Sequence, residues 1–555
     1  MNNKTSGSAP KDQVPRRISP GITRRKPIEQ IKAEYEGGEL KRSLGALNLV
    51  LLGIGCIIGT GIFVLTGRAA AEYAGPGIMV SFIITGTLCA FVALCYAELA
   101  SFLPVSGSAY SYSYASMGEF AAWVMGMLLV LEYGLAASTV AVGWSGYVVS
   151  FLHDIGIAIP PEFTAAPGQI VGGILNGEYM DRNQFANGVV PPEATQVIAS
   201  FNLPALIGIV AVTTLLVVGI NESATVNNII VFIKVAVVIA FIAIGMAYVN
   251  FDNWAPLIPQ QVTIQPDGSM IPSAGESASF LAQLKQAFVD IFTGDNTHRY
   301  GIGGVIHGAA VIFFAYIGFE AVSTAGAESK NPARDMPIGI LGSLIICTIL
   351  YILTSGVLVG IVPYHKLDDP APIALAVNEI GLPWFAKLIK IGAIAGLSSV
   401  MLVLCYGQTR IFYSMARDGL LPNFFGTVHK TFKTPWINTL IVGLLAGSGA
   451  AFMSLDNLAD LTNVGTLAAF MIVCVTVIYL RFSHPNEPRP FKTPLGMFTP
   501  LMGTTMCFIL LMSLMTNPHT RGFFSTYLVG GVIVYFVFGY WNSHLGKAQK
   551  ASRKA

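Results

Sequence analysis

Twelve times along 555 residues this sequence runs for about twenty positions on apolar side chains with almost no charge, the length needed to cross a hydrocarbon layer of roughly 30 Å. The runs fall at 44–72, 78–103, 119–152, 203–220, 226–249, 304–328, 337–362, 384–411, 436–454, 460–481, 497–515 and 524–545. A backbone in lipid must satisfy its own hydrogen bonds, so each run is predicted to be a helix. Composition decides against a string of soluble domains. Hydrophobic residues make up 53% of the chain and charged residues 11%, too little charge to cover a water-facing surface of this size. The expected fold class is an all-α integral membrane protein of twelve transmembrane helices forming one domain over 44–545.

What lies outside is a basic amino-terminal tail, 1–43, two loops at roughly 153–202 and 250–303, and a short tail, 546–555. If both ends face the cytoplasm, most of the 32 Lys and Arg fall on that side, leaving Arg68, Arg182, Lys285, Arg299, Lys366, Lys387, Lys390 and Arg521 on the other. That asymmetry predicts cytoplasmic termini in a plasma (inner) membrane. The tail's basic residues read first as an orientation signal, with contact to anionic lipid as the alternative. Its first 43 residues hold no apolar stretch of the kind a cleavable leader needs. All seven Cys sit inside apolar runs and read as small hydrophobes, with no disulfide framework or metal site.

One stretch resists a plain helix reading. In GIGCIIGTGIF, Gly53 to Phe63, glycines recur at 53, 55, 59 and 61. Close helix packing through Gly55 and Gly59 is one account; a helix built to come apart is the other. A phosphate loop is excluded by the spacing and by the lack of a preceding strand. Five runs later FFAYIGFEAVSTAGAE, Phe313 to Glu328, combines Gly318 and Gly326 with two carboxylates. Interruptions in the first and sixth runs are what an inverted repeat of five plus five helices produces: 44–249, then 304–481, with 497–545 as two accessory helices. Freed N–H groups at a half-helix start attract a carboxylate, and freed C=O groups accept from an ammonium, so such breaks suit a zwitterion.

These motifs, with YAELASFLPVSGSAYSYSY (Tyr96 to Tyr114), FFAYIGFEAVSTAGAESKNPARDMP (Phe313 to Pro337) and GQTRIFYSMARDGLLP (Gly407 to Pro422), resemble the amino acid–polyamine–organocation superfamily. Within it they are most similar to the bacterial relatives of the cationic amino acid transporters. The resemblance covers about 500 residues and implies discontinuous helices 1 and 6. It places a substrate carboxylate on the N–H groups of Thr60 and Gly61, helped by the Thr60 hydroxyl, and the α-ammonium on the carbonyls of Ile57, Phe314 and Ile317. For the side-chain pocket the third run offers Glu132 and Tyr133 and the eighth Ser398, Ser399 and Met401, of which Met401 would read as core packing without the resemblance; Phe314, Tyr316 and Phe319 are candidates for an aromatic gate. Glu132 has two open readings, a polar wall of the pocket or a structural acid between helices.

Lys234, in NNIIVFIKVAVVIAF, also has two. It lies eight residues past Val226, about 12 Å along the helix, within range of snorkelling to the interface. The resemblance instead sends it toward helices 1 and 8, with the Ile57-Ile58 carbonyls and the hydroxyls of Ser398 or Ser399 as neighbours, where it carries a coupling proton. Glu320 is a second titrating or helix-tethering candidate; Glu98 and Glu328 are read as structural.

The function expected is a secondary active permease carrying small neutral or broad-range L-amino acids by proton symport and alternating access. The alternatives are a cationic (Lys, Arg or ornithine) transporter, an obligatory exchanger, or a sensor without net transport. No metal cluster, Ser-His-Asp set or phosphate loop supports an enzyme, and scattered single charges do not line a channel. H+ is the coupling ion and no other cofactor is expected. The partners are the L-amino acid and membrane lipid, with no nucleic acid and no obligatory protein partner.

Overall fold

The computed structural model describes residues 21–28, 42–105, 107–175, 178–181, 190–191, 193–219, 224–265, 270–272, 280–293 and 297–554. Most of the amino-terminal tail, and Arg182, lie outside the described residues. The bundle is built from α1 (Ala46–Ile57), α2 (Ile78–Phe102), α3 (Glu119–Asp154), α4 (Leu203–Val218), α5 (Ala224–Gly245), α6 (Gly301–Ile312), α7 (Pro332–Ile361), α8 (Pro383–Arg417), α9 (Trp436–Phe452), α10 (Leu455–Ser483), α11 (Phe498–Leu514) and α12 (Pro518–Asn542). Among the described residues eight helical stretches are long and apolar enough to cross a membrane; α1, α4, α9 and α11 are shorter apolar helices.

Ends follow local chemistry. The Asn202 side chain accepts the Ala205 N–H at 3.1 Å to open α4, and Gly219 at φ +79° closes it. Ser454 caps α10 by accepting from the Asn457 N–H. Four helices overrun the hydropathy reading by more than a turn. Polar residues Asp456 and Asp460 kept the apolar run from starting before 460, yet α10 starts at Leu455; α8 continues past its apolar run to Arg417; and α7 and α12 start at Pro332 and Pro518, ahead of runs placed at 337 and 524.

The first run does not form one helix. α1 stops at Ile57, and helical backbone resumes in a wide π-type turn at Gly61–Leu65 and continues through Thr66–Ala69 to Ala74. From Gly61 to Phe102 the chain is helical over 42 residues, about twice one crossing, but it doubles back at Gly75–Gly77, where Gly75 has φ +57°. Neighbours along α6 give the directions. The Leu44 N–H donates to Glu328 O, a Cβ on Gly318 would meet Cys56, and the Tyr300 N–H donates to Tyr73 O, so 44–74 runs antiparallel to 300–328. After the turn Ser81 donates to Val305 O at 2.8 Å and Thr85 to Ala309 O at 2.9 Å, so α2 runs parallel to α6.

The loops depart from the all-helical expectation. β1 (Ile170–Leu175) pairs antiparallel with β2 (Glu178–Asp181) and β3 (Thr195–Ile198), and β4 (Val262–Ile264) likewise with β5 (Met270–Pro272) and β6 (His298–Arg299). Strands this short carry no apolar run, so a search for twenty-residue periods passes over them.

At the end of the bundle where α3 begins, the segment 21–28 is laid across the helix ends. Arg24 is buried, its guanidinium 3.7 Å from Glu119 and stacked over Tyr540, while its carbonyl accepts the Glu119 N–H at 2.7 Å. Arg25 binds Tyr479, Lys26 pairs with Asp418 at 3.6 Å, and Ile28 enters the core. Lipid is therefore not what Arg24 meets. Nearby, Glu98 is held by Arg481 at 2.6 Å, in line with its structural reading. At the opposite end Arg68 gathers Asp456 at 2.7 Å, Glu72 at 3.2 Å and Asp368 at 3.8 Å.

Candidate functional site

Both breaks lie side by side in the middle of the molecule. Ile58 leaves the helix with ψ 100°, and Thr60 caps the π-type turn that follows. Thr60 and Gly61 thus open a new half-helix, whose leading N–H groups come before its hydrogen-bond ladder; the Phe63 N–H already donates to Gly59 O at 3.3 Å. On the other chain segment α6 tightens into a 3-10 turn at Phe313–Tyr316. Ile317 is extended, Gly318 sits at φ +122°, and a second 3-10 stretch, Glu320–Glu328, completes the crossing. The Gly318 N–H donates to Glu320 Oε2 at 2.8 Å, so the carboxyl ties down the resumed half.

Glycine is needed where each break meets the other. A Cβ on Gly61 would overlap Ala315 Cα, and one on Gly318 would stand 2.8 Å from the Cys56 carbonyl carbon. Gly59, by contrast, has only Val400 in ordinary contact at 3.6 Å. The close approach falls on Gly61 and Gly318 rather than on Gly59.

Between the breaks lies a cavity of about 10 Å³, room for one water molecule. It is lined by Cys56, Ile57, Gly59, Thr60 and Gly61 from the first break, Phe314 and Ile317 from the second, Ala136 and Val140 from α3, and Val400 and Leu404 from α8. The five main-chain binding residues expected from the sequence therefore share one cavity. Thr60 Oγ1 is buried without a hydrogen-bond partner, as a hydroxyl waiting on a ligand would be. Two of the named carbonyls are already engaged: Ile57 O accepts from Tyr351 Oη at 2.8 Å and Phe314 O from the Ile317 N–H at 3.3 Å, each keeping one lone pair.

Several expected pocket residues stand elsewhere. Met401 is buried toward α4, its Cε near Gly208, because on α8 it points a full residue step away from Val400 and Leu404. Ser398 accepts from Trp144 Nε1 at 2.9 Å and donates to Ile394 O, so it faces α3 and its own helix. Ser399 is buried without a hydrogen-bond partner and does not line the cavity. Glu132, fully buried in a wide turn of α3 (Val130–Leu135), faces Glu320 rather than the cavity. Tyr316 donates to Phe82 O, and Phe319 packs on Tyr96 and Phe470, which leaves Phe314 alone of the proposed gate at the site.

Lys234 does not snorkel. It is 0% exposed, and Nζ donates to Gly55 O at 2.8 Å and reaches Ile58 O at 3.4 Å, two carbonyls that the break in α1 releases. Its stem lies on Gly396 of α8, where a Cβ would stand 2.9 Å from Lys234 Cγ. The expected α8 contact thus exists, made by a glycine and not by the serine hydroxyls.

The Amino acid permease family matches residues 44–538 of this chain, from the start of the first run into α12. The chain belongs to that family. This permease is 40% identical over 526 residues to a methylthioribose transporter of Bacillus subtilis, covering 95% of this chain and 99% of the relative. It is also 40% identical over 528 residues to the branched-chain amino acid permease BcaP of the same organism, with the same coverage. A vacuolar cationic amino acid transporter 4 of Arabidopsis thaliana is 35% identical over 467 residues, 84% of this chain and 68% of the relative. The permease is a mostly helical, multi-pass membrane protein. Sequence reasoning passed over Tyr351 and Gly396, which hold the first break and Lys234, and over Ala136, Val140, Val400 and Leu404, which wall the cavity. All six are ordinary residues of apolar helices, with no polar or spacing signal to mark them.

Proposed function

We propose that the permease carries neutral L-amino acids with small or branched aliphatic side chains, in symport with a proton, by alternating access. It does so through twelve crossings, five plus five of them an inverted repeat, with both termini in the cytoplasm of a cell whose plasma membrane it spans. The observation that carries this reading is the Lys234 ammonium on the carbonyls freed by the break in α1, next to a cavity walled by side chains without charge.

The opened half-helix at Thr60 and Gly61 offers N–H groups and positive dipole to a carboxylate. The ammonium is received by carbonyls of the facing break, and Ala136, Val140, Val400 and Leu404 are left to meet the side chain. A lysine or arginine substrate would bring a cation to a wall that has no carboxylate, since Glu132 is turned to Glu320. Protonated, Lys234 ties the first break to α5 and α8; giving its proton to the inner side, it loses that donor strength and shifts the balance between access states. A neutral solute other than an amino acid is the second reading, favoured by the methylthioribose transporter that matches as closely as BcaP.

Proteoliposome uptake under an imposed proton gradient tests both, with all twenty amino acids and methylthioribose scanned and Lys234→Ala beside the parent. Gradient-driven accumulation of valine, leucine, isoleucine or alanine by the parent alone is the expected result. Accumulation that ignores the gradient, or needs amino acid on both sides, makes the protein an exchanger. Accumulation of methylthioribose and of no amino acid overturns the substrate.

A further inference from the structure

The transport reading uses Lys234 and leaves two buried acids without work. Glu132 is 0% exposed and Glu320 1%, and their side chains meet within hydrogen-bonding reach across the gap between α3 and the second break. Written as two carboxylates they offer each other nothing. Glu132 Oε1 and Oε2 and Glu320 Oε1 are all buried with no donor, an arrangement whose desolvation and like-charge costs nothing nearby offsets for Glu132. One proton turns the clash into an O–H···O⁻ bond, among the stronger bonds a side-chain pair can make.

The two acids are not equivalent, and backbone geometry says which one holds the proton. Glu320 accepts the Gly318 N–H at 2.8 Å, so it has a partner as an anion. Glu132 sits inside the wide turn of α3 with Glu320 as its hydrogen-bonding neighbour. The groups that face the pair are Tyr96 and Cys89 from α2, Cys56 from α1 and Tyr133 on α3 itself, with Lys234 beyond Cys56. Tyr96 Oη is itself without a hydrogen-bond partner.

We propose that Glu132 is a proton-binding site: as a carboxylic acid it donates to the Glu320 carboxylate and so clasps α3 to the resumed half of broken α6. The clasp crosses between an unbroken helix and one that must move if the cavity is to admit a ligand, so its proton sets how firmly the second break is held. When that proton leaves, two anions face each other and the clasp opens. This goes beyond the coupling role of Lys234 and does not depend on which solute is carried.

The test is infrared difference spectroscopy of the reconstituted permease between about pH 5 and pH 9, a range over which buried carboxyls are known to titrate. The parent is expected to show a protonated-carboxyl stretch that is absent in Glu132→Gln, whose amide donates to Glu320 with no titrating proton. In Glu320→Gln the stretch is expected to persist, shifted, because Glu132 then stays neutral on its own. Counterflow without a gradient supplies a second readout. Glu132→Gln is expected to exceed Glu132→Ala by about tenfold, one strong hydrogen bond's worth at 1.4 kcal/mol per decade. A stretch unchanged in Glu132→Gln, one lost only in Glu320→Gln, or equal counterflow in Glu132→Ala and the parent would each overturn the clasp.

Discussion

Single residues at this site act through the room they leave and the donors they bring. Gly61→Ala is expected to abolish uptake while the protein still inserts, since its Cβ has only the Ala315 backbone to displace; binding-dependent thermal stabilisation by valine measures the loss. Tyr351→Phe removes the bond to Ile57 O and is expected to cost about 1 kcal/mol of stability, with that carbonyl freed for the ligand. Unfolding in detergent and apparent affinity check the two effects separately. Glycines 61 and 318 were legible in the sequence because they fall in paired interruptions of the first and sixth runs, and Lys234 because a charge is out of place in an apolar helix. Tyr351 and Gly396 were not, because a tyrosine and a glycine in such helices are common and only their neighbours in space give them a task. Met401 and Ser398 failed for a related reason: which side of α8 turns to the cavity depends on helix rotation, which spacing along one helix does not fix.

At the scale of elements, the antiparallel pairing of 44–74 with 300–328 puts the two breaks at the same depth, and so the expected five main-chain residues gather without help from the loops. Runs of hydropathy revealed where helices lie, to within a turn in most cases. The gap between the runs 44–72 and 78–103 already marked the doubling back at Gly75, but hydropathy could not reveal the small sheets or the turn that carries Glu132, since neither changes apolar content. The half-helix Gly61–Ala74 sets Arg68 beside its own Glu72, one turn on, and against Asp368 and Asp456 of other segments. Arg68→Ala leaves Glu72, Asp368 and Asp456 converging without that cation, and this end of the bundle is expected to loosen. Cys56, a cavity-lining thiol, reports on this: its alkylation by a membrane-impermeant reagent from the Arg68 side is expected to quicken in Arg68→Ala, and to disappear when Cys56→Ala is added. Part-exposed ion pairs are worth about 1 kcal/mol or less, so the change is expected in reactivity more than in unfolding.

Across the whole molecule, the segment 21–28 binds helix ends that are far apart in sequence, at Glu119, Asp418, Tyr479 and Tyr540. A basic tail before the first apolar run carries no mark of this, because Arg24 pairs with an acid 95 residues on and stacks on an aromatic 516 residues on. Arg24→Ala is expected to lower stability by about 2 kcal/mol, less than the full cost of orphaning a buried acid, since Tyr535 and Ser543 also donate to Glu119. Thermal unfolding of that variant beside one truncated before Glu29 checks it. Order of synthesis gives the same contact another meaning. The ribosome releases Arg24 before the twelve helices and Tyr540 within the last of them, so the two can meet only once all twelve are made, and their union is a seal on the assembled bundle that a product cut short before Tyr540, or misthreaded, never receives.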